Sequence, residues 1–254
     1  AAFFFVKLIH RPAEHPTINK AEFDYIEAGG GLVRMEDKTA SSGAAFTWVN
    51  VKQVLTSRML LGVYIGQYCI NVLTYFFVTW FPTYLVKERG FGLLKLGIFG
   101  MIPALASIPA GYIGGLVSDR LVRKGVGLTR ARKIPIVFGM ILSSSISLAV
   151  FVPPAAWALA LMSLAYASVT FAGACIWTLP VDVAPTRQHV ASISGIQNFA
   201  SNLAGICIAT FVGYMLGKTG GFLVPLLVAG GFALLGAFSY WFIVGEIEPL
   251  KVEP

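Results

Sequence analysis

The sequence contains little charge for its length. Only 12% of its 254 residues are charged and 56% are hydrophobic, whereas a soluble domain usually has about 25% charged residues. Too few polar side chains are therefore available to cover the surface of a water-soluble globule. Lipid is the alternative solvent, and the sequence contains several apolar runs of about 20 residues, the length that a membrane-spanning helix requires.

Cysteine and histidine are scarce as well, with three residues of each. No two cysteines have the Cys-x-x-Cys spacing of a metal or redox site, and all three lie in apolar runs, which indicates small packing residues. The histidines lie in polar segments and form no ligand pair. No combination of a nucleophile with a base is recognisable either. We therefore expect no metal site, no cofactor, no catalytic residue and no enzymatic activity.

The net charge of +7 comes from basic residues that lie between the apolar runs, where they set the topology of a membrane protein. If the polar segment 7–57 is cytoplasmic, six spans place 15 of the 19 basic residues on that side of the membrane. The other four are Lys87, Arg89, Lys95 and Lys218. This asymmetry predicts the orientation, and it explains the positive charge without nucleic acid as a partner.

The apolar runs predict an all-α membrane protein built around one six-helix bundle. An apolar stretch at 1–6, too short to span a membrane, is interpreted as the end of a preceding transmembrane helix. Residues 7–57 form a cytoplasmic linker, residues 58–246 the transmembrane bundle and residues 247–254 a cytoplasmic tail. The six spans are placed near 59–86, 96–118, 134–152, 155–180, 190–216 and 221–244.

The linker contains one predicted surface helix, from about Lys20 to Ala28. Asn19 and Glu22 have the spacing of a capping box, in which the first side chain accepts a backbone hydrogen bond and the second reaches back to the cap residue. Three consecutive glycines at 29–31 then end the helix, because glycine readily adopts the conformation of a helix C-terminus.

One face of the first span carries large polar side chains that recur at steps of three and four residues, the spacing of neighbours on a helix. They are Tyr64, Gln67, Tyr68, Asn71, Thr74 and Tyr75. Polar groups are costly in hydrocarbon unless they are paired, so this face points at protein or water. It either forms helix–helix hydrogen bonds or lines a solvated cavity whose amides and phenols bind a polyhydroxylated ligand. We favour the cavity, because helix pairing rarely uses so many large polar groups.

The fifth span carries a second polar stripe on one helical face. Its members are Ser194, Asn198, Ser201, Asn202 and Gly205. Asn198 lies near mid-span and is the best cavity candidate, whereas Ser201 and Asn202 serve either packing or binding. At the end of the fourth span, Trp177 is either an interfacial belt residue or a cavity-lining residue. Thr178 either faces the same cavity or bonds its own backbone.

The second span runs into a basic segment, residues 115–124, with the sequence Gly-Leu-Val-Ser-Asp-Arg-Leu-Val-Arg-Lys. Its cations anchor this end of the span on the cytoplasmic side. A carboxylate at the membrane edge among cations indicates a salt-bridge cluster that breaks and re-forms between conformational states. We therefore expect Gly115, Asp119, Arg120 and Arg123 to form a conformational gate.

The same segment resembles the loop motif of the major facilitator superfamily, with Val122 where the general pattern often has glycine. Residues 66–85, from Gly-Gln-Tyr-Cys-Ile-Asn to Trp-Phe-Pro-Thr-Tyr-Leu, resemble the seventh helix of the anion:cation symporter family, and of its glucarate, galactarate and galactonate members in particular. Residues 11–16 resemble the central loop of these proteins. Residues 182–185 and 197–202 are similar to signatures of their tenth and eleventh helices.

The resemblance implies a twelve-helix transporter in two six-helix halves, with substrate bound between the halves and access alternated by their rocking. The chain would supply the C-terminal half of a proton-coupled symporter that imports a sugar acid across a bacterial inner membrane, with the bilayer and the missing N-terminal half as partners. The substrate-binding residues it implies or leaves as candidates are Gln67, Tyr68, Asn71, Tyr75, Trp177, Thr178 and Asn198.

The charge pattern bears on where the coupling residues lie. No acidic or basic residue lies mid-span in any of the six segments, although proton coupling normally needs an intramembrane ionisable group. The resemblance places such groups in the missing half, and the proton gradient would be the energy source. The alternatives are a transporter of another organic anion, such as a hexuronate or an aromatic acid, and a membrane scaffold without transport. The two polar stripes distinguish them, because a cavity wall requires the stripes to face one another.

Overall fold

The computed structural model describes residues 15, 17–28, 52, 54–185 and 187–250. The apolar stretch at 1–6, interpreted as the end of a preceding helix, lies outside the described residues. The same holds for most of the linker at 7–57, including the three glycines at 29–31, and for the last four residues of the predicted tail. The chain forms two units, residues 1–47 and 48–254.

In the first unit, the linker helix occupies Lys20–Ala28, the bounds that its capping residues predict. The backbone N–H of Glu22 donates to Asn19 Oδ1 at 2.8 Å. This bond satisfies one of the N–H groups that the first turn of a helix leaves without an intrahelical partner. The side-chain cap read from the sequence is therefore present.

Over its described residues, the second unit is an all-α bundle with six helical spans that are long and apolar enough to cross a membrane. In chain order, the first to sixth spans are Arg58–Thr79, Leu93–Arg123, Leu128–Val150, Ala155–Val183, His189–Thr219 and Leu223–Ile243. The predicted number of spans is confirmed. A helix is the natural element here, because it satisfies its own backbone hydrogen bonds in lipid.

Three of the spans are interrupted where the sequence predicted continuous helix. The first continues after a break at Trp80 as Phe81–Lys87, the second is divided into Leu93–Phe99 and Ile102–Arg123, and the fourth into Ala155–Ile176 and Leu179–Val183. In each case a proline lies in the first turn after the break: Pro82, Pro103 and Pro180. Proline lacks a backbone N–H, so the first turn of a new helix tolerates it best.

The remaining spans differ in how they end. The third is an α-helix over Leu128–Ser143 that tightens to a 3₁₀-helix at Ser144–Val150. The fifth is continuous from Arg187 to Thr219. The sixth is α-helical over Leu223–Phe238 and ends in a π-helical turn at Ser239–Ile243.

The spans predicted near 96–118 and 134–152 leave residues 119–133 between them, but most of that segment is helical. The second span continues to Arg123 and the third begins at Leu128, so only four residues connect them. Arg120 and Arg123 therefore lie in the last turn of a helix. Cations are favourable there because they face the partial negative charge of the helix C-terminus.

The first span is the centre of the bundle, where it packs against the fourth, fifth and sixth spans. The third and second spans pack against the fourth. In the most apolar stretch of the first span 61% of the residues are buried, compared with 6% in the second. Within the described residues, the second span is therefore attached to the bundle along one side only.

Charged side chains fasten the end of the bundle opposite the basic segment. The Arg89 guanidinium donates to the carbonyl oxygens of Ala149 and Val152 at the end of the third span. Glu88 Oε1 accepts a 2.7 Å hydrogen bond from the backbone N–H of Phe222, just before the sixth span. A cation at a helix C-terminus and an anion at a helix N-terminus both oppose the local helix dipole.

The predicted tail begins as an ordered segment rather than a free end. The backbone N–H of Ile247 donates to Thr129 Oγ1 at 2.9 Å, and that of Leu250 to the carbonyl oxygen of Val183 at 2.9 Å. Ile247 is buried. The segment thus connects the start of the third span with the end of the fourth.

Gly114 provides a test of how the second span is held. A Cβ atom added there would lie 2.9 and 3.0 Å from the backbone carbonyl carbon and Cα of Phe171, whereas one added at Gly115 would meet nothing within 4 Å. We expect Gly114→Ala to lower the free energy of unfolding by about 1–3 kcal/mol, because overpacking against backbone forces the helices apart. Thermal unfolding in detergent measures the change.

Gly115→Ala is the matched control for this substitution. It makes the same change one position away, without a clash, and removes the helix penalty of glycine, which is about 1 kcal/mol. We expect it to leave stability unchanged or to raise it. Equal melting temperatures for the two variants would contradict the close contact between the second and fourth spans.

Candidate functional site

The two polar stripes face one another across the contact between the first and fifth spans. Gln67 Nε2 donates to Ser201 Oγ at 2.7 Å, and Gln197 Nε2 donates to Gln67 Oε1 at 2.8 Å. Gln67 and Gln197 are fully buried, and Ser201 is nearly so. Both ends of the Gln67 amide are therefore engaged in helix pairing. A ligand reaches this predicted binding residue only when those bonds are exchanged.

Asn71 extends this buried network toward the surface. Its Nδ2 atom donates to the carbonyl oxygen of Gln67 at 2.9 Å and to Ser201 Oγ at 3.1 Å. The Ser201 hydroxyl donates in turn to the carbonyl oxygen of Gln197 at 3.1 Å. Asn71 is half-buried, and within the described residues its Oδ1 atom accepts no hydrogen bond. Asn71 thus keeps an acceptor available at the edge of the network.

An exposed row of polar groups continues from there along the fifth span. The Tyr75 hydroxyl donates to Asn202 Oδ1 at 3.1 Å, and Asn202 Nδ2 donates to the carbonyl oxygen and Oδ1 of Asn198 at 2.8 and 3.3 Å. Asn198 and Asn202 are exposed, and Tyr75 is half-buried. We call Asn71, Tyr75, Asn198 and Asn202 the open polar edge. Its amides and phenol can both donate to and accept from a ligand.

Gly205 explains why Tyr75 lies against the fifth span. A Cβ atom at position 205 would be 2.9 Å from three atoms of the Tyr75 ring, a distance that real Cβ contacts do not reach. The absence of a side chain at Gly205 therefore lets the ring lie flat on the helix. This places the hydroxyl beside Asn202 and ends the open polar edge.

Trp177 and Thr178 lie at the break in the fourth span, beside the buried network. Gln197 Nε2 donates to the carbonyl oxygen of Ile176 at 3.3 Å, which joins the break to the stripes. Trp177 is 53% exposed, so its ring is available to a ligand. The Thr178 hydroxyl donates to the carbonyl oxygen of Cys175 at 2.8 Å. This is the bond to its own backbone that was one of the two roles predicted for Thr178.

Tyr68 lies apart from these groups. It is half-buried, and its ring packs at a centroid distance of 5.8 Å from Phe232 of the sixth span. No hydrogen bond joins it to the network among the residues that the structure describes. Of the predicted binding residues, the structure brings together Gln67, Asn71, Tyr75 and Asn198. Trp177 directly follows Ile176, whose carbonyl oxygen accepts a hydrogen bond from Gln197.

Gln197 was not among the predicted binding residues, although it is central to the network. Its position falls beside the stripe of the fifth span, but it lies one helical turn from Ser201 and so shares that residue's partners. Its Oε1 atom is buried without a hydrogen bond in the described part of the chain. Buried acceptors usually have a partner, so this atom marks a position where the network is incomplete.

The charge cluster at the basic end of the bundle is centred on Arg132, which the sequence reading did not include. Arg132 Nε and Nη2 contact the two carboxylate oxygens of Asp182 at 2.8 and 3.4 Å. Arg132 Nη1 also donates to Ser118 Oγ at 3.0 Å and lies 3.7 Å from Asp119 Oδ1. A two-point contact between Arg and a carboxylate is geometrically specific and strong. This pair joins the third span to the fourth.

Asp119 is the outer member of this cluster, and among the described residues its ion-pair partner is Arg132 and not a cation of its own segment. Its side chain is 63% exposed, compared with 16% for Asp182. Arg120 and Arg123 are exposed and form no ion pair among the described residues. The cation that reaches Asp119 comes instead from the next helix. The gate role of Gly115, Asp119, Arg120 and Arg123 stays a prediction.

Comparison with known proteins adds to this picture. The profile of the Major Facilitator Superfamily matches residues 1–210. A probable galactarate/D-glucarate transporter, GudP, of Escherichia coli (strain K12) is 41% identical over 256 residues, which cover 100% of this chain and 56% of the relative.

Two further relatives are also named as sugar-acid transporters. A probable galactarate/D-glucarate transporter, GudP, of Bacillus subtilis (strain 168) is 42% identical over 247 residues, 97% of this chain and 54% of its own length. The D-galactonate transporter of Escherichia coli O6:H1 is 36% identical over 242 residues, 95% of this chain and 56% of its own length. The chain thus spans about half the length of the curated relatives it matches.

The buried network predicts a stability difference between two serines of the fifth span. Ser201→Ala removes the acceptor that Gln67 and Asn71 share and leaves a buried amide donor without a partner. This costs about 1–3 kcal/mol, so we expect a lower melting temperature in detergent. Ser194→Ala is the matched control, because Ser194 is half-buried and makes no hydrogen bond among the described residues. If both variants melt alike, the stripes do not hold the two helices together.

Proposed function

The chain belongs to the Major Facilitator Superfamily, and we propose that it forms the C-terminal half of a proton-coupled transporter that imports a sugar acid by alternating access. The chain is that of a multi-pass membrane protein, and a bacterial inner membrane is the proposed location. The relatives named as galactarate/D-glucarate and D-galactonate transporters suggest the class of substrate.

The open polar edge is the observation that carries the proposal. Asn71, Tyr75, Asn198 and Asn202 present neutral donors and acceptors on one accessible face. A sugar acid has a row of hydroxyl groups, and each of these both donates and accepts hydrogen bonds. Neutral amides and a phenol suit that row, and the exposed Trp177 adds an aromatic surface beside it. The carboxylate ends of such a substrate require a cation instead.

The charges of the bundle support a division of labour between the two halves. Acidic and basic residues are absent from the middle of the six spans. The proton-coupling carboxylate and the cation for the substrate anion would therefore come from the N-terminal half that we propose as partner. This chain would contribute the hydroxyl-binding wall and the cluster around Arg132.

A non-transporting scaffold explains the buried part of the stripes but not their exposed part. Gln67, Gln197 and Ser201 suffice to pair the first and fifth spans. Asn198 and Asn202 lie outside that contact, and Asn198 Nδ2 donates no hydrogen bond among the described residues, which is unfavourable in lipid. An aqueous cavity removes this cost, which is why we prefer transport.

Asn198 provides the direct test of the proposed site. In the full-length protein we expect Asn198→Ala to raise the KM for labelled glucarate, galactarate or galactonate roughly threefold to tenfold, because one hydrogen bond to substrate is lost. Uptake by cells that express the variant at the wild-type level measures the change. Thr210→Ala, an exposed residue on another face of the same span, should leave KM unaltered.

Several outcomes would contradict this proposal. Unaltered uptake of every sugar acid by the Asn198 variant removes this residue from the site. If the wild-type protein takes up none of the three compounds, sugar acids of this class are not its substrates. Uptake that persists after a protonophore collapses the proton gradient, but stops without sodium, would show that transport is coupled to sodium and not to protons.

The Arg132 cluster provides a test of the gate. Arg132→Gln leaves Asp182 half-buried without its cation, and we expect the maximal uptake rate to fall roughly tenfold with little change in KM, since conformational couplings are typically about 1–3 kcal/mol. Arg130→Gln removes the same charge from an exposed position that has no ion pair among the described residues, and it serves as the control. Equal maximal uptake rates for the two variants would show that both arginines serve only to set the orientation of the chain in the membrane.

A further inference from the structure

An apolar groove of about 470 Å³ lies between the third and sixth spans. It is lined by Val137, Ile141, Leu234, Phe238, Trp241 and Phe242. The three aromatic side chains are large and about half exposed, at 52%, 51% and 57%. The groove is separate from the open polar edge and from the Arg132 cluster, and neither of those sites uses any of its residues.

Two cations lie at one end of this groove. Lys133 Nζ donates to the carbonyl oxygen of Trp241 at 3.4 Å, and Arg58 Nη2 donates to that of Phe242 at 3.1 Å. The last carbonyl groups of a helix have no intrahelical partner, so these contacts fix both cations beside the two aromatic residues. This is the end of the bundle that the basic residues predict to be cytoplasmic.

The positive charge at this end is only partly balanced within the described residues. Neither Arg58 nor Lys133 forms an ion pair there, and the carbonyl oxygens they contact carry only partial charge. Glu246, which follows Gly245 beyond the sixth span, acts electrostatically on Lys133, so Arg58 supplies the unbalanced positive charge. The groove therefore combines an apolar floor with a cationic mouth.

We propose that this groove binds one anionic phospholipid of the cytoplasmic leaflet. An acyl chain would lie along Ile141, Leu234 and Phe238, and the phosphate would contact the exposed Arg58, with the charge of the buried Lys133 behind it. Basic pockets between transmembrane helices on the cytoplasmic side are suited to anionic headgroups, and aromatic residues such as Trp241 favour the interfacial depth between chain and headgroup. The site requires only that the bundle lies in a membrane, and it is independent of the transported substrate.

Charge complementarity favours a lipid over a protein segment. A second copy of the chain, or another part of the transporter, would need to place a carboxylate at the mouth of the groove. It would also need a row of narrow apolar side chains to fill the floor. A phospholipid provides both features in one molecule and is present at high concentration around the bundle.

Brominated lipids test the proposal, because bromine quenches the fluorescence of a tryptophan that it contacts. The full-length protein in nonionic detergent is titrated with brominated phosphatidylglycerol or brominated phosphatidylcholine. We expect saturable quenching with a preference for phosphatidylglycerol, and we expect Trp241→Phe to abolish that saturable part. Trp157→Phe is the matched control, since Trp157 is 66% exposed at the opposite end of the bundle, and it should leave the saturable quenching intact.

The charge at the mouth is tested by Arg58→Gln and Lys133→Gln. Each should weaken phosphatidylglycerol binding roughly fivefold, the equivalent of about 1 kcal/mol for one basic residue at an anionic surface, and leave phosphatidylcholine quenching unchanged. Both glutamines keep a donor for the carbonyl oxygen, and melting temperatures without lipid show whether each variant is folded. If Lys133→Gln fails to fold, the exposed Arg58 position decides alone.

Two results would overturn the proposal. Equal quenching of Trp241 by the two lipids would show a nonspecific lipid boundary without a headgroup site. Absence of quenching at Trp241 by either lipid would show that a protein segment, from a second copy or from the rest of the transporter, covers the groove.

Discussion

The requirement that each polar group in lipid finds a partner within the protein governs this structure. It selects helices for all six spans, and it explains where the helices are allowed to end. Breaks in the first, second and fourth spans are followed by proline in the first turn of the next helix, where a missing N–H is harmless. Helix ends are closed by cations, since Arg89 contacts carbonyl oxygens at the end of the third span and Lys133 does so at the end of the sixth.

The same requirement divides the polar stripes into two parts with different roles. Gln67, Gln197 and Ser201 are buried and hydrogen-bonded to one another, with Gln197 Oε1 left over among the described residues, so they belong to the architecture of the bundle. Asn198 and Asn202 are exposed, so they need water or a ligand. A single helical face thus holds two spans together at its inner margin and offers hydrogen bonds at its outer margin. Altering one part therefore affects stability, and altering the other affects recognition.

The sequence predicted the elements better than their partners. Runs of apolar residues were sufficient for six spans, and the cap at Asn19 was visible because capping depends on residues three positions apart. Arg132 and Asp182 are 50 residues apart, and no local pattern connects them. Helical spacing showed that Gln67 and Asn71 share a face, but it did not show that Gln67 lies deeper in the contact. Breaks in the spans were missed because proline alone does not distinguish a kink from the start of a new helix.

The pairing of Gln67 with the fifth span has a consequence for biosynthesis. Gln67 and Ser201 are separated by 134 residues, and a ribosome adds about 5–20 residues per second. The first span therefore enters the membrane roughly ten seconds before its partners exist. During that interval its amides must be shielded by the insertion machinery, by water or by another segment of the nascent chain. The central helix of the finished bundle is thus synthesised well before the helices against which it packs.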